Sequence, residues 1–394
     1  MKHTSSSLFM QPGRGGEMET DMKNLQVYNV RLKTLTPVYI GGGKRLEKNE
    51  YIYNSETGEI VIFDINKMLR FFIKKRLIKE YENYIMSKGK KLADLFRENN
   101  ISDKNYNEWI LYKLNISDIP DREELIKRGI ELFVKDMYRK PYIPGSSLKG
   151  ALRTILADME LLKNEKLSAE FKNGVDELLT GHSGTKGISG NKIQKKIDVQ
   201  IFHRKNNVDS STKIDDKIYD MMSGLLIADS IPLDIKNLTV CQKIDIGTDG
   251  KQNAMPMLRE CIKPGAEIVF PVKINKDKFS YTVEDIKKAI SEDYRNYKKE
   301  FLSKFKENVQ LDTTLDNVIF IGGGVGYASK TYTYAALHGK DGIKRVSNIL
   351  AKVFENRGHA GDYKKGASPR MLKCTEYCGK MMQLGACLIS FEPK

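Results

Sequence analysis

Val283, Ile286, Ile290, Tyr294, Tyr297, Phe301 and Phe305 recur at spacings of 3, 4, 4, 3, 4 and 4 residues, the rhythm of one apolar face on an α-helix. No other stretch of the chain fixes its local structure so firmly. Residues 26–36 alternate apolar and polar side chains as a half-buried strand does, stop at Pro37 and run into Gly41-Gly42-Gly43. Residues 51–53 and 59–63 read as a hairpin around a turn at 54–58. Further strands are expected at 224–228, 238–246, 266–274, 318–321 and 384–391, with a helix at 340–354. Strands, helix, strands, helix, strand is the order of an α+β protein.

Between these elements, residues 66–140 turn helical and basic, with Leu69, Phe72, Ile73, Leu77, Tyr81 and Ile85 on one face, and read as a helical insertion. Residues 1–21 resemble a cloning scar and are set aside. The remainder divides into an N-terminal unit, 22–235, and a C-terminal unit, 236–394. An echo joins them: Val38-Tyr39-Ile40-Gly41-Gly42-Gly43 resembles Ile319-Phe320-Ile321-Gly322-Gly323-Gly324. Residues 181–217, rich in Gly, Ser, Lys and Asp, are expected to be a mobile basic loop.

Charge narrows the function. The 394 residues carry 66 Lys and Arg against 51 Asp and Glu, a net charge of +15, which calls for an acidic partner. No run of about 18 apolar residues exists to span a bilayer, so no membrane partner is expected. Five cysteines in so long a chain point to a reducing cytoplasm rather than a disulfide scaffold. Cys374 and Cys378 have no second close pair, so neither zinc nor another metal or cofactor is expected.

Three segments could hold phosphate. At 322–326 successive glycines allow backbone N–H groups to converge on an anionic oxygen, and Ser329 and Lys330 follow directly. The loop fits neither nucleotide fingerprint, because Tyr327 stands where a dinucleotide loop needs glycine and Ser329 where a P-loop does. A plain strand-to-helix turn is the alternative. At 144–153, Ser146 or Ser147 can cap a helix running to about Leu162, and the open N–H groups there, with Lys149 and Arg153, form a second anion site. Leu148, Leu152, Ile155, Leu156 and Met159 form its inner face, leaving a basic edge to solvent; an ordinary capped helix is the alternative. The third segment, 357–373, interleaves Lys364, Lys365 and Arg370 with glycine and suits an irregular phosphate backbone, or is only a solvated loop. Catalysis finds no such pattern: His182, His203, His338 and His359 stand apart from one another, and Asp215-Asp216 reads as a solvated turn.

The junction Tyr142-Ile143-Pro144-Gly145-Ser146-Ser147-Leu148-Lys149-Gly150-Ala151-Leu152-Arg153 resembles that of the RAMP superfamily of CRISPR effector subunits. Leu35-Thr36-Pro37-Val38-Tyr39-Ile40-Gly41-Gly42-Gly43, Ile227-Ala228-Asp229-Ser230, Gln242-Lys243-Ile244-Asp245-Ile246, the run 255–262, the glycine loop and Ser368-Pro369-Arg370-Met371-Leu372-Lys373 are similar to the fifth Csm subunit family, over about 24–392. The resemblance implies a ferredoxin-like (RRM-like) fold in two halves. It also implies a non-catalytic crRNA-binding subunit that caps the crRNA 3′ side of a type III-A Csm complex. Such a subunit lies beside stacked backbone subunits and near target RNA, and is needed for crRNA maturation and antiviral defence. Host nucleases that trim crRNA are further partners implied. RNA contact carries over to Gly41, Gly42, Ser146, Ser147, Lys149, Arg153, Gly322, Gly323, Gly324, Gly326, Ser329 and Lys330. The alternative is a metal-independent endoribonuclease processing precursor crRNA through a loop histidine.

Overall fold

The computed structural model describes residues 24–54, 56–87, 89–116, 129–180, 190–204, 219–305 and 314–394. The first 21 residues, His182 and Asp215-Asp216 lie outside the described residues. Chain order begins with strands β1 (Leu25–Thr34), β2 (Gly41–Leu46), β3 (Tyr51–Asn54) and β4 (Glu59–Phe63). Short helices α1 (Ile65–Lys74), α2 (Ile78–Met86), α3 (Leu92–Glu98) and α4 (Asp103–Tyr106) follow, then β5 (Ile110–Asn115) and β6 (Ile130–Phe133). Helices α5 (Gly145–Lys163), α6 (Glu165–Thr180) and α7 (Gly190–Phe202) precede β7 (Leu225–Ile227), β8 (Leu238–Gly247), β9 (Gln252–Ile262) and β10 (Glu267–Asn275). After α8 (Val283–Glu300) come β11 (Val318–Phe320), α9 (Thr333–Ala336), α10 (Gly339–Val353), β12 (Met371–Tyr377), β13 (Lys380–Gln383) and β14 (Ala386–Pro393).

The first strand is central. β1 lies between β10 and β14 in an antiparallel sheet ordered β11-β14-β1-β10-β7. Its alternation works as the sequence implies: Val30 and Leu32 are fully buried, whereas Lys33 is exposed. Ile268, Phe270 and Val272 of β10, Leu148, Leu152 and Leu156 of α5, and Ile286 and Ile290 of α8 join them in one core. Each such side chain contributes about 1.5–3 kcal/mol on burial, so the two helices are pinned to this sheet. A second sheet runs β13-β12-β8-β9-β6-β2, and a third holds β3-β4-β5. The division at residue 235 does not follow the sheets, because β1 and β7 from one side pair with β10 and β14 from the other.

Three expectations change. Among the described residues of 66–140, α-helix is found only as far as Tyr106, with a 3-10 turn at Asn107–Trp109; after it come β5, which extends the β3-β4 hairpin, and β6, which enters the second sheet. Its helices do not share one face: Arg76, at φ 59°, breaks the run, leaving Ile73 and Ile85 exposed while Phe72 packs with Phe96 and Trp109. Within the expected basic loop, residues 190–202 form α7, because Ile193, Ile197 and Ile201 recur every fourth residue and all three are buried. The apolar rhythm of α8 outlasts the helix, which ends at Glu300. A 3-10 turn, Leu302–Lys304, then carries Phe305 back into the core beside Phe301. Among the described residues, no helix is long and apolar enough to cross a membrane.

Candidate nucleic-acid interface

The glycine loop and the start of α5 face each other across a cleft of about 410 Å³, lined by Gly41, Ser146, Ser147, Gly322, Gly323, Ser329 and Lys330 from the sequence-derived set. Segments almost three hundred residues apart thus meet at one opening. The two echoing glycine runs are physically joined, since Gly323 N–H donates to the Tyr39 carbonyl at 2.7 Å. Gly322 adopts φ +95°, and a Cβ there would lie 2.3 Å from the same carbonyl oxygen, so only glycine fits.

The helix start is built differently from the expected serine cap. Pro144 occupies the N-cap without a side-chain bond, and the Asp229 carboxylate accepts from Gly145 N–H at 2.8 Å. Ser230 Oγ accepts from Ile143 N–H at 2.9 Å, and Ser230 N–H donates to the Ile143 carbonyl. The 227–230 segment therefore clamps the junction. Asp229 frees the Ser146 and Ser147 side chains from capping, and among the described residues their hydroxyls meet no protein partner. Lys330 is exposed and has no ion pair among the described residues. Desolvation by the surrounding walls lowers its pKa, as burial does for any ammonium. Ser329 Oγ is committed inward, donating to the Val325 carbonyl at 3.0 Å.

The other expected residues stand apart. Arg153 pairs with Asp220 at 2.8 Å, lies 3.9 Å from Asp198 and covers the Phe202 ring at 4.2 Å. Lys149 is half-buried near Asp220. The expected basic edge of α5 is thus largely neutralised by carboxylates from α7 and the segment after it. Gly42 is exposed on β2, Gly324 backs onto the Arg259 guanidinium, and Gly326 neighbours Lys373. Lys364 and Lys365 are exposed on the 3-10 turn His359–Lys365, outside the cleft. Arg370 donates to buried Asp362 at 3.2 Å and to the Gly358 carbonyl. His359 is held by the same Asp362 at 2.8 Å, so it braces this loop. No described histidine lines the cleft.

Asp293 of α8 also lines the cleft, a residue that helical periodicity marks only as polar. Its carboxyl lies against that of Asp158, a buried side chain whose Oδ1 has no hydrogen-bond partner among the described residues. Burial first, and then the partner carboxyl, push Asp158 well above the usual carboxylate range; burial raises Asp293 as well. The pair therefore holds a proton that would otherwise be lost, which limits negative charge beside the cleft. A raised carboxyl pKa favours the folded state at low pH, and that contribution fades as pH rises through the raised values. Asp158→Asn should therefore raise the melting temperature by a few degrees, more at pH 8 than at pH 5. A scan showing equal melting at both pH values would refute the shared proton.

The residues that build the fold, the clamped junction and the glycine loop lie largely within 31–328, the stretch that the RAMP superfamily model matches. Proteins named CRISPR system Cms protein Csm5 are similar over most of the length. The Enterococcus italicus protein is 30% identical over 93% of this chain and 98% of its own, and the Streptococcus thermophilus protein is 27% identical over 84% and 87%. The chain belongs to the RAMP superfamily and, within it, to the Csm5 family. Among solved structures, a chain of the cryo-EM Csm-crRNA-target RNA ternary complex of a type III-A CRISPR-Cas system matches with TM-score 0.63 at 19% identity, covering 92% of this chain and all of that one. The crystal structure of T. onnurineus Csm5 matches with TM-score 0.59 at 17% identity, covering 91% and 99%.

Proposed function

We propose that this chain is a non-catalytic crRNA-binding subunit of a type III-A CRISPR Csm complex, capping the 3′ side of the crRNA beside the backbone subunits and near target RNA. The observation that carries the reading is the cleft, where Gly41, Ser146, Ser147, Gly322, Gly323 and Lys330 come together from three distant segments. Hydroxyls, a cation with no ion pair among the described residues and close backbone suit phosphates and ignore base identity. A guide-binding subunit requires that indifference, because spacer sequences vary. The family names and the ternary-complex neighbour support the setting. For the fold, the order β14-β1-β10-β7, with α5 between β1 and β7 and α8 after β10, supports one ferredoxin-like core spread across the chain. Docking of host nucleases, as crRNA maturation requires, is part of the same proposal.

Lys330→Glu is the direct test. It should weaken single-stranded RNA binding on the order of tenfold, one charge-assisted contact of ~1.5 kcal/mol, and flatten the salt dependence by about one phosphate. Filter binding across a salt series reads both. Unchanged affinity and slope would sink the proposal. Arg153→Ala, whose guanidinium is already paired, should shift binding less than Lys330→Glu does.

A further inference from the structure

A second cavity, about 270 Å³, opens beside the cleft and shares two of its walls, Thr154 and Lys330. Its character is different. Phe171 and Val175 of α6, Ile193 of α7, and Tyr327 and Tyr332 from the segment after the glycine loop make it apolar and aromatic. The rings are held in place: Tyr332 meets Phe171 edge-on at 5.8 Å, with its hydroxyl 3.3 Å from Asp198 Oδ1, and Tyr327 Oη lies 3.0 Å from Thr333 Oγ1. One polar group in the lining is unsatisfied. Thr331 Oγ1 is buried beside Tyr327 and, among the described residues, has no hydrogen-bond partner.

A phosphate site continuous with an aromatic pocket that holds one orphaned hydroxyl matches the two ends of a nucleotide. We infer that this pocket takes a single nucleobase, turned out of the RNA strand whose phosphate occupies the neighbouring cleft; the inference rests on the RNA-binding reading above. The sugar of that nucleotide would pass Lys330, the wall common to both cavities. The base would find an apolar face on Tyr327 and Phe171, and an edge partner in Thr331. A hydroxyl both donates and accepts, so this edge contact suits any of the four bases. The pocket then fixes where one nucleotide sits along the strand without reading its sequence, whereas the cleft alone would let the backbone slide.

Photo-crosslinking decides. Full-length protein is irradiated with a single-stranded oligomer of 5-iodouridine, on the order of 15 nucleotides, and crosslinked peptides are mapped by mass spectrometry. Attachment at Tyr327, Tyr332 or Phe171 is expected. Tyr327→Leu should abolish it and weaken binding by about 5- to 100-fold, the usual range for a lost base stack. RNA retained on filters but crosslinked only outside residues 171–178 and 327–333 would overturn the pocket while leaving the cleft reading intact. RNA not retained at all would overturn both. Because the crosslink map is made on unaltered protein, it stands even if the Tyr327 variant fails to fold.

Discussion

Lys135→Met should lower folding stability by about 3–5 kcal/mol, the cost of stranding a buried charge. Glu260 on β9 is fully buried, and its carboxylate is met by the Lys135 ammonium, by Tyr112 Oη at 2.7 Å and by Phe133 N–H at 2.9 Å. Lys135 in turn covers the Tyr112 ring at 4.9 Å. The group joins β5, of the small three-stranded sheet, to β6 and β9 of the six-stranded one. Desolvation lowers the Lys135 pKa, although Glu260 opposes the shift. Without the lysine, the Glu260 carboxylate keeps only uncharged donors, Tyr112 Oη and Phe133 N–H. Urea unfolding measures the cost. The Lys135→Met, Glu260→Gln double variant should recover a large part of the loss. A single-variant cost below ~1 kcal/mol would show that the network contributes little.

Gly145→Ala is expected to cost about 3 kcal/mol, the upper part of the overpacking range, and to abolish RNA binding with it. An added Cβ would stand 2.3 Å from the Ile227 carbonyl oxygen and 2.6 Å from that of Ala228. Both are backbone atoms of the clamp, so α5 must withdraw from β7, carrying Ser146 and Ser147 away from the glycine loop. Gly150, one and a half turns further along the same helix, has open space around its missing Cβ. Gly150→Ala should therefore stabilise by about 0.5–1 kcal/mol. Thermal melts of the two variants side by side, each followed by RNA titration, separate a steric cause from a general intolerance of substitution in α5. Equal melting temperatures for both would refute the packing argument.

How far the sequence reached follows from the range of the forces involved. The face of α8 and the inner face of α5 are set by neighbours three and four residues away, and those positions are buried as their periodicity implies. The cleft-lining residues at 146–147, 322–323 and 329–330 are recognisable in the sequence because each is a local pattern of glycine, hydroxyl and cation. Their union in one cleft was foreshadowed only by the glycine echo. The pairing of Arg153 is not legible locally, because Asp198 and Asp220 reach it across tens of residues. The pairing of Arg370 escapes the sequence for a shorter-range reason: Asp362 lies eight residues away, on a 3-10 turn that sequence periodicity does not mark. Asp229 was noted within a family segment, yet its role as the cap of α5 depends on β7 lying alongside. β5 and β6 were absorbed into an insertion dominated by helical, lysine-rich residues; short apolar runs are ambiguous until a partner strand is known.

The pairing of β1 bears on how the chain is made. Its two neighbours, residues 267–275 and 386–393, leave the ribosome long after it does. With synthesis running N-terminus first at about 5–20 residues per second, the earliest strand waits tens of seconds, unpaired and aggregation-prone, for the strand that completes its sheet. Until the glycine loop has emerged, Tyr39 and Gly323 cannot pair, so a chain truncated before that loop lacks one wall of the cleft. A chain cut short of these strands therefore exposes the apolar edge of β1, the kind of surface on which chaperones and proteases act.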